Sequence, residues 1–123
     1  MDEKTFKART KKLAVTIIKQ MDALPRSRAA DVIAKQIIRS ATSIGANYRA
    51  ACRAKSTPDM INKMKIVEEE SDETMYWLEI LVEVGLAPKE QIRDLYKETN
   101  EILAMTVSSI KTLRNHKSKI VNP

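Results

Sequence analysis

Apolar and small residues recur at alternating steps of three and four along four successive stretches of this 123-residue chain. That period narrows the fold more than any other feature, because it places one stripe along one face of a helix. The first seam is Phe6, Thr10, Leu13, Ile17, Met21 and Leu24; the second is Ala30, Ile33, Ile37, Ala41, Ile44, Tyr48 and Ala51. The third runs Met60, Met64, Val67, Ser71, Met75, Leu78 and Val82, and the fourth Ile92, Leu95, Thr99, Ile102, Thr106, Ile110 and Leu113. Two glycines and four prolines are too few to punctuate a sheet of short strands.

The breaks between the seams carry their own signals. Pro25 ends the first helix, since the residue before a proline is pushed out of the α region. Ser27 is a good cap for the second. Thr57 is expected to cap the third, with Pro58 at the first helical position and Asp59 at the positive end of the helix dipole. Gly85 is the natural stop, and Pro88 opens the fourth helix. The helices are therefore expected over about residues 2–24, 27–55, 57–85 and 88–115, with a frayed tail over 116–123. Short connections between long helices make sequence neighbours antiparallel. The expected fold is all-α, an antiparallel up-down-up-down four-helix bundle in a single domain spanning 1–123. Gly45, inside the second pattern, costs about 1 kcal/mol against alanine and is expected where another helix packs closely.

Chemistry is more restricted than architecture. A single Cys and a single His exclude a disulfide framework and a Cys-rich zinc site. They also remove most Cys/His and Ser/His nucleophile designs. No phosphate-cradling glycine loop is present, and no Glu-x-x-His pair of the kind that builds di-iron bundles. The acids Glu68, Glu69, Glu70, Asp72 and Glu73 wrap around a helix rather than converge. The expectation is a protein that is not an enzyme, with no catalytic residues, cofactor or metal. The densest apolar stretch, Met75 to Ala87, is broken by Glu79 and Glu83 and falls far short of the roughly 20 residues of a membrane span. With no apolar run near the N-terminus to serve as a signal core, a cytoplasmic protein that makes no membrane contact is expected.

Charge is unevenly distributed. The formal net charge of +6 divides as +3 over residues 1–24, +6 over 25–56, −6 over 57–85 and +3 over 86–123. On the second helix, Arg28, Lys35, Arg39, Arg49 and Arg53 fall in one sector opposite the Ile33, Ile37, Ile44 and Tyr48 stripe. Such a ridge can track phosphates, or it can be a solvated face that pairs with the acids of the third helix. Lys111, Arg114, Lys117 and Lys119 either extend the positive surface or complement the dipole of the fourth helix.

The third helix carries a second stripe of Ile66, Glu70, Glu73, Trp77, Leu81 and Val84, and it is apolar nearly all round from Met75 to Val84. A helix that buries one face needs one stripe, so a self-association surface is expected over Ile38, Ile66, Tyr76, Trp77, Ile80, Leu81 and Val84. Ser40, Ser43 and Asn47 flank the apolar stripe of the second helix among small residues. Arg39, Ser43 and Asn47 are expected to meet Glu70 or Glu73 in a buried polar cluster that fixes helix register.

The stretch from Arg39 to Ser56 (RSATSIGANYRAACRAKS), followed by Ile66 to Leu81 (IVEEESDETMYWLEIL), resembles the bacterial four-helix bundle proteins named for intervening sequences in 23S ribosomal RNA genes. The matching positions are Arg39, Ser40, Ser43, Ile44, Ala46 and Asn47, then Glu70, Glu73, Tyr76, Trp77 and Leu78. The resemblance covers nearly the whole chain. It implies a homopentamer, and a distant relationship to the accessory variability protein of diversity-generating retroelements, a basic pentamer that works with a reverse transcriptase and nucleic acid. An acid common among relatives at or near residue 50 is absent here, which makes this face more basic. The functional expectation is a homopentamer that binds RNA or DNA with little sequence selectivity through Arg28, Lys35, Arg39, Arg49 and Arg53. The alternative is a protein–protein scaffold whose ridge meets an acidic partner or the acidic helix of a neighbouring subunit.

Overall fold

A computed structural model describes the backbone of residues 2–121 and the side chains of residues 2–116. It consists of four helices, α1 (Glu3–Asp22), α2 (Arg28–Cys52), α3 (Thr57–Glu83) and α4 (Lys89–Val121). Each packs against its neighbours in sequence, and α4 returns to meet α1 through a much slighter contact. Gly45 lies against Thr10, Thr74 bonds Ser40, and Tyr96 bonds Glu79. Each of these pairs brackets the intervening connection nearly symmetrically, as antiparallel neighbours must. The fold is an all-α four-helix bundle with up-down-up-down order.

Local chemistry sets the helix ends. Asp2 caps α1, its carboxylate accepting from the Thr5 backbone N–H at 3.1 Å and the Thr5 hydroxyl at 2.6 Å. Those bonds hold the Asp2 carboxyl below the ordinary carboxylate range, the hydroxyl bond contributing most. Ser27 caps α2 by accepting from Ala30 N–H at 3.0 Å. The cap of α3 is Ser56, one residue before the expected Thr57. Its hydroxyl accepts from Asp59 N–H at 3.2 Å, three residues on, which is the reach a cap requires. Gly85 ends α3 with φ of 77°, a left-handed conformation that a side chain would strain. Helix α2 ends at Cys52, short of the expected 55. Helix α4 runs to Val121, so the segment 116–121 is helical where a frayed tail was expected. The last two residues lie outside the described ones.

The core follows the predicted seams closely. Every seam residue of α1 and α2 is buried, as are all those of α4 except Leu113, which is partly covered. Helix α3 departs from its pattern. Ile61, Thr74 and Leu81 are buried, whereas Met60 and Val82 are half-buried. Helix α3 packs extensively on both α2 and α4, so its buried arc is wider than one stripe. The polar seam residues are satisfied within their own helices. Thr10, Ser71, Thr99 and Thr106 each donate to the carbonyl four residues back, at 3.0, 2.7, 2.7 and 2.7 Å. A buried hydroxyl bonded in this way carries little desolvation cost. Phe6 and Tyr48 meet edge to face at 4.5 Å in the core between α1 and α2.

Candidate nucleic-acid interface

The basic ridge begins with the register of α2. With Ile33, Ile37, Ile44 and Tyr48 turned inward and buried, residues about 180° round the helix must face solvent. Arg28, Lys35, Arg39, Arg49 and Arg53 are all exposed. The five do not share one environment. The Arg39 guanidinium forks between two α3 carboxylates, bonding Glu70 at 3.1 Å and also Glu73. These bonds push the Arg39 pKa above its ordinary value, the Glu70 hydrogen bond contributing most. Among the described residues, Arg28, Lys35, Arg49 and Arg53 have no carboxylate within ion-pair distance. Four of the five cations are thus free to meet an anion from outside, and Arg39 is held by the bundle itself.

The expected buried cluster of Arg39, Ser43, Asn47, Glu70 and Glu73 divides into two parts. Arg39, Glu70 and Glu73 join α2 to α3, but the Arg39 side chain is 51% exposed, so the trio is a surface network and not a buried one. Asn47 does not reach the glutamates. Its amide donates to the Ser43 carbonyl at 2.9 Å and the Ser43 hydroxyl at 2.8 Å, one turn back on its own helix. The polar contact that is buried between α2 and α3 is Ser40 with Thr74, both fully inaccessible, their hydroxyls 2.8 Å apart. Thr74 also reaches the Glu70 carbonyl at 2.8 Å and Ser40 the Ile37 carbonyl at 3.2 Å. Each hydroxyl therefore has an acceptor. Ser40 stood on the marked flank, but nothing in the α3 pattern singled out Thr74.

Of the residues expected in a self-association surface, Ile66, Tyr76 and Val84 are exposed, at 40, 55 and 56%. Ile38, Trp77 and Ile80 are partly buried against the core. Leu81 is fully buried and belongs to the core. Its position at the edge of the second stripe turns it inward, because α3 serves two neighbours. Tyr76 and Trp77 meet edge to face at 5.3 Å on the outer side of α3. Val32 on α2 is 56% exposed, and Val15, Ile18 and Val107 are further exposed apolar residues.

A second interhelical ion pair leaves no mark in the sequence pattern, because its members lie 89 residues apart. Arg9 of α1 grips Glu98 of α4 with two bonds, at 3.0 and 2.6 Å, and lies 3.4 Å from Glu101. The Arg9 hydrogen bond holds the Glu98 carboxyl below its usual range. The pair spans the seam where the helices touch least. The basic groups of α4 add less to the picture. Lys111 and Arg114 are exposed, and the side chains of Lys117 and Lys119 lie outside the described ones.

No feature of the described residues gathers three or more His, Cys, Asp or Glu side chains around a common point that could hold a metal ion. Cys52 is half-buried, and burial raises its thiol above the ordinary pKa, away from the reactive thiolate. No described helix is long and apolar enough to cross a membrane.

A family model described as 23S rRNA-intervening sequence protein matches residues 4–108. The fold is similar to a crystal structure from Bacteroides thetaiotaomicron, described as a protein of unknown function from the S23 ribosomal protein family. The two share 38% sequence identity with a TM-score of 0.84, over 90% of this chain and 99% of that one. No curated protein matches the chain.

Proposed function

The chain belongs to the 23S rRNA-intervening sequence protein family, and from that premise we propose a cytoplasmic, non-enzymatic, homo-oligomeric protein that binds RNA or DNA through its basic α2 face. One observation carries the proposal: Arg28, Lys35, Arg49 and Arg53 stand exposed in one sector without an intramolecular counter-ion among the described residues. Cations placed in this way release counterions when they meet phosphates, which gives affinity without sequence selectivity and a steep loss with salt. Self-association through the outer side of α3 would cover Ile66, Tyr76, Trp77, Ile80 and Val84, apolar surface that a monomer leaves partly wet. The five-fold count rests on the family resemblance.

A second reading has its own support. Glu69, Asp72, Glu79 and Glu83 are exposed on α3, so the basic face of one subunit could dock on the acidic helix of the next, or on an acidic protein. Native mass spectrometry on gently purified protein, without nuclease, separates the readings. The first gives a multimer, about 70 kDa for a symmetric five-fold ring, with added mass that nuclease removes. A clean multimer favours the second. A bare 14.0 kDa monomer contradicts the homo-oligomer of the first reading and the subunit-to-subunit docking of the second.

A further inference from the structure

We propose that the groove between α1 and α2, walled by Lys7, Lys11 and Arg49, is the seat of nucleic-acid binding and takes the phosphodiester backbone of a duplex. This inference rests on the nucleic-acid reading above and adds two α1 lysines that lie outside the α2 ridge. The groove encloses about 530 Å³, and no carboxylate lines it. Its floor is made of small residues, among them Ala8, Gly45 and Ala46, and it exists because Gly45 lets α1 approach α2 so closely. A Cβ at Gly45 would stand 3.3 Å from the Thr10 hydroxyl.

The donors available in the groove are the three cations. The hydroxyls of Thr10 and Thr42, which also line it, already donate to carbonyls of their own helices, at 3.0 and 2.8 Å. Lys7 has a single long contact to Glu3, at 3.5 Å, with both side chains well exposed. A pair so solvated is readily exchanged for a phosphate. Lys11 and Arg49 have no carboxylate partner among the described residues. Three other grooves are differently built. The groove between α3 and α4, about 450 Å³, sets Glu79 and Glu83 against Lys89, Arg93 and Lys97. The groove at the α1–α2 connection contains Asp22 and Asp31, and the one along α4 beside Met105 is uncharged. Of these four grooves, the all-cationic one favours a polyanion.

The form of the nucleic acid follows from what the groove lacks. Single-strand binding surfaces stack bases on aromatic rings, and no aromatic residue lines this groove. The exposed aromatic, Tyr76, lies on α3, which neighbours α2 and α4 rather than α1. Cations without stacking partners favour the duplex, whose phosphates are more densely spaced along the axis and release more counterions per contact than those of a single strand. Association through α3 would leave the groove open.

Fluorescence anisotropy with labelled ~20-bp duplexes of DNA and of RNA, and with a single strand of the same length, tests the assignment. The groove variant Lys7→Gln/Lys11→Gln/Arg49→Gln is compared with the ridge variant Arg28→Gln/Lys35→Gln/Arg53→Gln, each checked by circular dichroism. All six residues are exposed or half-exposed. A further variant, Ala46→Glu, places a carboxylate on the exposed groove floor without removing any cation. The groove variant is expected to lose roughly 10- to 100-fold in duplex affinity at low salt, and its log–log salt slope to become shallower by about 2.7 on the DNA duplex. Ala46→Glu is expected to lose affinity as well, and the ridge variant to lose less than the groove variant. A groove variant no weaker than the ridge variant overturns the inference while leaving nucleic-acid binding in place. Tighter binding of the single strand overturns the duplex assignment. If the wild type binds none of the three probes, the proposed function falls with it. Preference for one duplex over the other identifies DNA or RNA as the source of the phosphates.

Discussion

The two flanks of α2 carry arginines of the same kind and put them to different uses. On the flank facing α3, Arg39 is claimed by Glu70, whose side chain is only 13% exposed, and by Glu73. On the flank facing α1, Arg49 lines a groove whose other cations are lysines and which holds no acid. Both arginines are exposed on the same helix; the neighbour decides. A positive residue in a charge count becomes a structural tie where the adjoining helix is acidic, and keeps its charge unpaired where that helix is basic. The net charges of +3 over residues 1–24 and −6 over 57–85 determine which flank is which.

Perturbations of the two flanks should differ in kind. The largest effect on stability is expected on the α1 side from Gly45→Leu, which drives a side chain into Thr10 and forces the helices apart. Overpacking of this sort costs about 3 kcal/mol, of which replacing glycine in a helix returns about 1 kcal/mol; the net loss is read as a lowered denaturation midpoint. A neutral result would mean that α1 and α2 do not approach as closely as described. Arg39→Gln releases two carboxylates on the α3 side and is expected to cost no more than about 1 kcal/mol, because the pair is half-exposed. Chemical denaturation measures it.

Acid provides a further contrast, with the α1–α4 seam. Asp2, Asp59 and Glu98 are all held below the ordinary carboxylate range, by Thr5, Lys63 and Arg9 respectively. A depressed folded-state pKa contributes stability that is fully present above the unfolded value, near 4. That stability is lost as pH falls through the folded value. Stability measured by urea titration should therefore decline on the acid side of pH ~4. Glu98→Gln should cost about 1 kcal/mol at neutral pH and flatten part of that decline. An unchanged acid profile would show that Glu98 is not tied to Arg9 in solution. The smallest effect belongs to Asn47→Leu. The Asn47 amide bonds only its own helix, so a change of more than about 0.5 kcal/mol would restore a cross-helix role for it.

The fold was legible because period is a local property. The seams of α1 and α2 follow from their own residues without reference to a neighbour, and a glycine inside a helical pattern points to close packing whatever its partner, here Thr10. The errors arise where a neighbour intervenes. Leu81 sits at the edge of two stripes, and only the presence of both α2 and α4 turns it inward. Asn47 and Ser43 suited an interhelical cluster by type and spacing, yet a bond one turn away satisfied them first. Arg9 and Glu98 are ordinary surface residues until the bundle closes. Exposure of the α2 ridge could be read from helix geometry, whereas its division into held and free cations depends on which helix lies beside each one. For the same reason Lys7 and Lys11, on a different helix, could not be joined to the ridge from periodicity alone.

The most direct test of this account is the salt dependence of duplex DNA binding by Arg49→Gln beside Arg39→Gln. Arg49→Gln is expected to make the log–log slope shallower by about 0.9 and to leave stability unchanged, while Arg39→Gln keeps the wild-type slope and loses stability. Equal slopes for the two variants, or the reverse assignment, would contradict it.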